Sequence, residues 1–172
     1  VDECSPQTTA NTARVWHLGP ADHTKNTTRY KANAIGFYAL VGNCVNDFLP
    51  SSTQQSIQEF LQKVREANAA YAGMIVILDN FSSHRGKVVK EVAAAQNIEL
   101  VYLPPYSPDL NPIEFIWKTI KRVVSLQFIH SREHLRKIIS DVWNDTSRQC
   151  SYAKSWIAKF ISSVFEYREF CN

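Results

Sequence analysis

Apolar residues recur along this chain with a period that changes from strand-like to helical and back. Residues 34–41 read as a buried strand and 44–48 as its hairpin partner. Pro50-Ser51-Ser52-Thr53 then offers side-chain oxygens for a helix start. Ile57, Phe60, Leu61 and Val64 follow at helical spacing, so a helix is predicted to about residue 68, with Gly73 closing it off. The unbroken apolar run 74–78 predicts a short strand buried on both faces and ending at Asp79. Ser82 or Ser83 is the expected cap of a helix to about residue 96, and 98–103 is the next strand. Pro104, Pro105 and Pro108 exclude helix or central strand, because proline has no N–H to donate.

Asn111 is expected to cap the following helix, with Pro112 at its first position. Ile113, Ile116, Trp117, Ile120 and Val124 line one face of that helix, and Glu114, Lys118, Lys121 and Arg122 lie off the stripe. Ser131 opens another helix, with Leu135, Ile138, Ile139, Val142 and Trp143 apolar. A last helix over 151–166, carrying Trp156, and an early strand over 14–18 complete the reading. Strands come first, strands and helices then alternate, and helices close the chain. That order predicts an α/β fold with a mixed sheet.

At 172 residues the chain has the length of one domain, taken as 1–172, and a 45% hydrophobic share excludes global disorder. The net charge of +3 is too mild to identify a nucleic-acid partner; where the charge sits decides that. Cys4, Cys44, Cys150 and Cys171 form no C-x-x-C pair, which argues against structural zinc and for free thiols in a reducing cytoplasm. His130 and His134 are four apart but have no third ligand near them in sequence. No apolar run reaches membrane-spanning length and no signal peptide is visible, so no membrane partner is expected. The start at Val1-Asp2, without an initiator methionine, reads as part of something longer.

Three carboxylates carry the candidate chemistry: Asp2, Asp79 in Ile77-Leu78-Asp79-Asn80, and Glu114 in Asn111-Pro112-Ile113-Glu114. Acidic oxygens from separate elements suit a hard cation such as Mg²⁺ or Mn²⁺. Two such ions, about 3.5–4 Å apart, clamp the attacking and leaving oxygens of a phosphodiester. Taken singly, an aspartate after a strand is more often a turn residue, and an Asp-Glu pair at a terminus is usually just solvated. Glu3 competes with Asp2, although strand alternation points it to the opposite face.

The motifs around these acids settle which reading to carry forward. Val76-Ile77-Leu78-Asp79-Asn80-Phe81-Ser82-Ser83-His84 resembles the second-aspartate motif of DDE transposases of the mariner and bacterial insertion-sequence superfamily. Leu103-Pro104-Pro105-Tyr106-Ser107-Pro108-Asp109-Leu110-Asn111-Pro112-Ile113-Glu114, followed by Trp117 and Lys118, resembles the third-acid motif of that family almost without interruption. The interval of 35 positions from Asp79 to Glu114 matches the family's short spacing. Val1-Asp2-Glu3 with Arg14, Trp16 and Gly19 resembles the first-aspartate region more loosely.

The resemblance implies an RNase H-like fold, here a mixed five-stranded sheet flanked by helices, and cleavage and strand transfer of DNA. It implies a two-metal Mg²⁺ or Mn²⁺ site in which Asp2 bridges both ions, Asp79 holds one and Glu114 the other. It implies transposon ends and target DNA as partners, a homodimer, and no small-molecule organic cofactor. The place of work would be the nucleoid in the cytoplasm of a prokaryote, or the nucleus of a eukaryote. Two departures stand out. Against that pattern the first strand is expected to be cut short upstream of Asp2, and the family's N-terminal helix-turn-helix recognition region is expected to be missing from these 172 residues.

Two basic groups are candidate DNA contacts, Lys118, Lys121 and Arg122 on the Glu114 helix and Arg85, Lys87 and Lys90 after Asp79, and His84 is a further candidate. His84 has an alternative role, a hydrogen bond that orients the acids from behind. The 104–112 stretch either sets the entry angle of the Glu114 helix or serves as a subunit contact. Two rival functions share these residues: an RNase H-like nuclease of another kind, and a transposase remnant that binds DNA or full-length transposase without cutting.

Overall fold

One strand sorts the apolar residues of the molecule into two cores. Strand β2 (Ala34–Phe37) is buried at every position. Ile35 and Phe37 face the first core, while Ala34 joins the second and Gly36 lies beneath Trp117 and Trp143 on that side. Strands β1 (Asp2–Cys4) and β3 (Val45–Phe48) flank it, both antiparallel, in the order β1-β2-β3. The register sets Asp2 opposite Gly36 and Cys4 opposite Ala34. The molecule is a computed structural model that describes residues 1–9, 18–19, 26–148 and positions 153, 154 and 158. Most of the expected strand at 14–18 and of the expected helix at 151–166 lies outside the described residues, as do Trp16, Trp156, Cys150 and Cys171.

The first core is built by α1 (Gln54–Ala67), β4 (Met74–Leu78), α2 (Lys87–Ala95) and β5 (Ile98–Tyr102). Ile57, Phe60, Leu61 and Val64 are all buried, and the Thr53 side chain caps α1 by accepting from Ser56 N–H. Strands β4 and β5 are parallel, joined across α2, with Leu78 opposite Tyr102. The second core holds α3 (Ile113–Leu126) and α4 (Arg132–Ser147). Their apolar stripes meet at Trp117 and Trp143, whose ring centroids are 5.2 Å apart. Ser131 caps α4 by accepting from His134 N–H at 3.0 Å.

Four expectations are corrected. The strands form a three-stranded antiparallel sheet and a two-stranded parallel one, not a single five-stranded sheet. The physical reason is at β1, where the Val1 nitrogen donates to the Ile77 carbonyl as the link toward β4, too little for a ladder. Strand β4 is not buried on both faces: Val76 and Leu78 are enclosed, but Ile75 is 65% exposed. An unbroken apolar run does not say which of its faces finds cover. The expected cap at Ser82 or Ser83 instead begins a 3₁₀ turn, Ser82–Arg85, and extended Gly86 separates it from α2. Finally, the Asn111 side chain caps nothing; its carbonyl accepts from Glu114 N–H at 3.1 Å, and α3 begins at Ile113.

Candidate active site

Three elements deliver the three acids to one cleft. Asp2 opens β1, between Val1 in the first core and Cys4 in the second. Asp79 follows the last residue of β4, and Glu114 stands in the first turn of α3. A carboxylate is favoured there, because the unpaired N–H groups of a helix start carry partial positive charge. Asp2, Asp79 and Glu114 all line an open cleft of about 470 Å³, together with Asn80, Phe81, Arg85, Asn111 and the wall formed by residues 103–108.

Strand alternation divides Asp2 from Glu3. Asp2 is 6% exposed and takes the side of α3; its Oδ1 accepts from Glu3 N–H at 2.9 Å, while its Oδ2 is enclosed without any partner. Burial, and next the negative charge of Glu114, push the Asp2 carboxyl up to about 7. Glu3 turns the other way, where one oxygen accepts from the Ser52 hydroxyl and the other lies 3.5 Å from His84 Nε2.

His84 is 1% exposed, and its Nδ1 is 2.6 Å from Asp79 Oδ1. By distance these are ion pairs, although neither ring nitrogen is aligned for a directed hydrogen bond. Burial by itself would lower the imidazole, but Asp79 and Glu3 outweigh it and raise the ring to about 9. In the reverse direction, burial works against the Asp79 charge, and His84 overcomes it and holds that carboxyl below its usual range. Asp79 Oδ1 also accepts from Phe81 N–H at 3.3 Å, closing the turn after β4.

The basic candidates separate. Arg85 is exposed and lines the cleft with the acids. Lys87 is exposed, outside the cleft lining, and 3.7 Å from Glu91. Lys118, Lys121 and Arg122 are exposed along α3, and Lys121 stands next to the Cys4 thiol, which burial pushes up to about 11. His84 is enclosed beneath Asp79 and offers no exposed face. Sequence reasoning missed the contact from Glu3 to His84, and it missed Phe81 and Tyr106 as cleft residues. The likeness of residues 76–84 to a family motif was the signal for Phe81; nothing in the sequence relates position 3 to position 84.

The donor set suits a hard divalent cation. It is made of carboxylate oxygens at an open cleft, and one of them, Asp2 Oδ2, is enclosed and unpartnered. Among the described residues no three acidic, histidine or cysteine side chains stand as a ready-made ion cage. No helix among the described residues is long and apolar enough to cross a membrane. Cys4 is a buried free thiol.

Comparison with known proteins places this geometry. The chain is 33% identical over 73 residues to the uncharacterized protein y4pE/y4sA of Sinorhizobium fredii, a match covering 42% of this chain and 52% of that protein. It is 34% identical over 65 residues to the transposable element Tcb2 transposase of Caenorhabditis briggsae, covering 38% of this chain and 24% of the relative. In fold it is similar to the Mos1 transposase paired-end complex with left transposon end, with a TM-score of 0.71, 17% identity, and coverage of 94% of this chain and 51% of that one. The chain thus spans about half the length of the relatives it matches, or less. A family profile described as DDE superfamily endonuclease matches residues 1–136, which takes in all three acids and both motifs. By that match over most of its length, the chain belongs to the DDE superfamily endonucleases.

Proposed function

We propose that the chain is the catalytic domain of a mariner-like transposase, which cuts DNA phosphodiesters and joins the freed end to target DNA. The observation that carries this reading is the presence of Asp2, Asp79 and Glu114, from three separate elements, on one cleft. Asp2, Asp79 and Glu114 would hold Mg²⁺ or Mn²⁺, as a pair of ions. When bound, such ions stabilise charge on the phosphodiester oxygens and lower the pKa of the attacking water or hydroxyl. Similar folds include the Mos1 transposase catalytic domain with Mn and with Mg, which supports this choice of ions.

The chain's own residues have separate tasks. His84 fixes Asp79 from behind, and Glu3 and Ser52 fix His84. Arg85 meets phosphate in the cleft, and Lys118, Lys121 and Arg122 meet phosphates along α3, an affinity blind to sequence. DNA is therefore the partner, as transposon end and as target, and a second copy of the chain completes the assembly that holds paired ends. The similar fold of the Mos1 transposase paired-end complex with left transposon end supports DNA as the partner. The protein works where genomic DNA lies, in a nucleoid or a nucleus.

The test is a nicking and strand-transfer assay on precut ends with Mg²⁺ or Mn²⁺. Cutting and joining are expected from the native chain, and Asp79→Asn abolishes both while its circular dichroism stays native. Nicking by Asp79→Asn at a near-native rate would remove Asp79 from the chemistry. Cutting without joining would favour a nuclease of another kind, and DNA binding without cutting would favour a remnant.

A further inference from the structure

The acid cleft carries two exposed aromatic side chains. Tyr106 is 102% exposed and Phe81 is 50% exposed, and both line the cleft with Asp2, Asp79 and Glu114. Phe81 meets His84 edge-on, with centroids 6.0 Å apart, so its ring is steadied from below. Tyr106 has a φ of 57°, in the left-handed region that a residue with a β-carbon rarely adopts. Glycine would fill this turn without strain, so a tyrosine there is a local conflict of the kind that collects at working sites. Its loop is stiff: prolines stand at 104, 105 and 108, Ser107 Oγ donates to the Pro105 carbonyl, and Asn111 N–H donates to the Pro108 carbonyl at 2.9 Å. A ring held out by a stiff loop loses little freedom when a flat partner settles on it.

The cleft itself limits what that partner is. Arg85 lining the same cleft calls for an anion, and two exposed rings call for a flat apolar face. A nucleotide supplies both, provided its base has left the stack, because a paired duplex hides its base faces. We infer that Tyr106, with Phe81 beside it, stacks on an unpaired nucleobase next to the phosphate handled by the three acids. The cleft then takes DNA that is frayed or distorted at that position in preference to continuous duplex. This inference rests on the DNA-cutting reading above and adds to it the form of DNA that the cleft accepts. A second copy of the chain is the competing occupant of the loop; the place of Tyr106 on the acid cleft favours the base.

Anisotropy titrations of the 172-residue chain test this, in Ca²⁺, on two labelled duplexes of one sequence. One duplex is fully paired and the other ends in two unpaired nucleotides. The native chain is expected to prefer the forked duplex about 5-fold or more, the scale of one base–aromatic stack. Tyr106→Phe keeps that preference, and Tyr106→Ala and Tyr106→Gly lose it while still holding the paired duplex. The glycine variant relieves the backbone at the same time, so a misfolded loop cannot account for its loss. A native chain that binds both duplexes equally overturns the inference alone, as does a preference that survives Tyr106→Ala. Loss in Tyr106→Phe equal to that in Tyr106→Ala also overturns it, by giving the work to the hydroxyl. A change of mass in light scattering with the preference intact would assign the ring to a chain–chain contact. No binding of either duplex would bring down the DNA-cutting reading itself, and this inference with it.

Discussion

His84 Nδ1 lies 2.6 Å from Asp79 Oδ1, and the imidazole is closed off from solvent. On the proposed function, the ring would serve the site through a carboxylate rather than by touching DNA. Removing it frees Asp79 to rotate and leaves Glu3 without its partner. His84→Gln is expected to weaken Mn²⁺ binding about 10- to 100-fold by calorimetry, the usual cost of losing a group that orients a metal ligand. An unchanged Mn²⁺ affinity would mean that Asp79 is held by the turn at Phe81 alone.

The same groups give the metal-free protein a definite pH dependence. His84, raised to about 9 from an ordinary value near 6.5, contributes stability that is complete below that ordinary value and lost as pH rises through about 9. Asp2 is an acid raised to about 7, so the folded state holds its proton longer than the unfolded chain does, and ionisation at higher pH destabilises the fold. Asp79 is held below its usual range and stays ionised across this window. These two signs agree and outweigh the buried Val1 amine, which burial lowers to about 6 and which works the other way, so the thermal midpoint in EDTA should fall from pH 5 to pH 9. Asp2→Asn should flatten the lower part of the fall and raise the midpoint at neutral pH, while abolishing nicking. A midpoint that rises over this range would contradict both assignments.

Gly36 is a packing requirement. A β-carbon there would lie 2.3 Å from Trp143 Cη2, 2.5 Å from Trp143 Cζ3 and 3.0 Å from Trp117 Cζ2. Large rings buried between two helices have little room to retreat. Gly36→Ala is expected to cost about 1–3 kcal/mol in urea unfolding, the range for overpacked cores. Because Gly36 pairs with Asp2, the same change should also lower activity in the fraction that stays folded.

Lys121 and Arg122 separate a phosphate contact from an ordinary solvated face. Lys121 stands beside Cys4 on β1, two residues from Asp2, which brings its charge toward the acids. Lys121→Glu with Arg122→Glu should weaken DNA binding and reduce the slope of affinity against salt by roughly one for each phosphate that is no longer neutralised. A slope equal to that of the native chain would assign both residues to solvent.

What the sequence disclosed follows from the range of each signal. The helices α1, α3 and α4 were legible because Ile57, Phe60, Leu61 and Val64, and the stripes through Trp117 and Trp143, repeat over several turns. The places of Asp79 at the end of a strand and Glu114 at the start of a helix were legible from their neighbours, while their candidacy as a site came from the motif resemblance. The division into two sheets was not, since it turns on how β1 meets β4, a relation between positions 76 residues apart. Nor was the inward turn of His84, because local patterning at 82–86 predicts an uninterrupted helix start and says nothing of Glu3. The opening of β4 at Ile75 was hidden for the same reason: composition gives apolarity, and only tertiary structure says which side is covered.

Strand β1 sends Val1 into one core and Cys4 into the other, with Asp2 between them. The other two acids depend on those same cores, Asp79 through β4 and Glu114 through α3. A chain in which either core has yet to form lacks at least one of the three carboxylates at the cleft. On the proposed function, DNA cutting would then require both cores to be complete, because a copy with one core formed holds an incomplete set of acids.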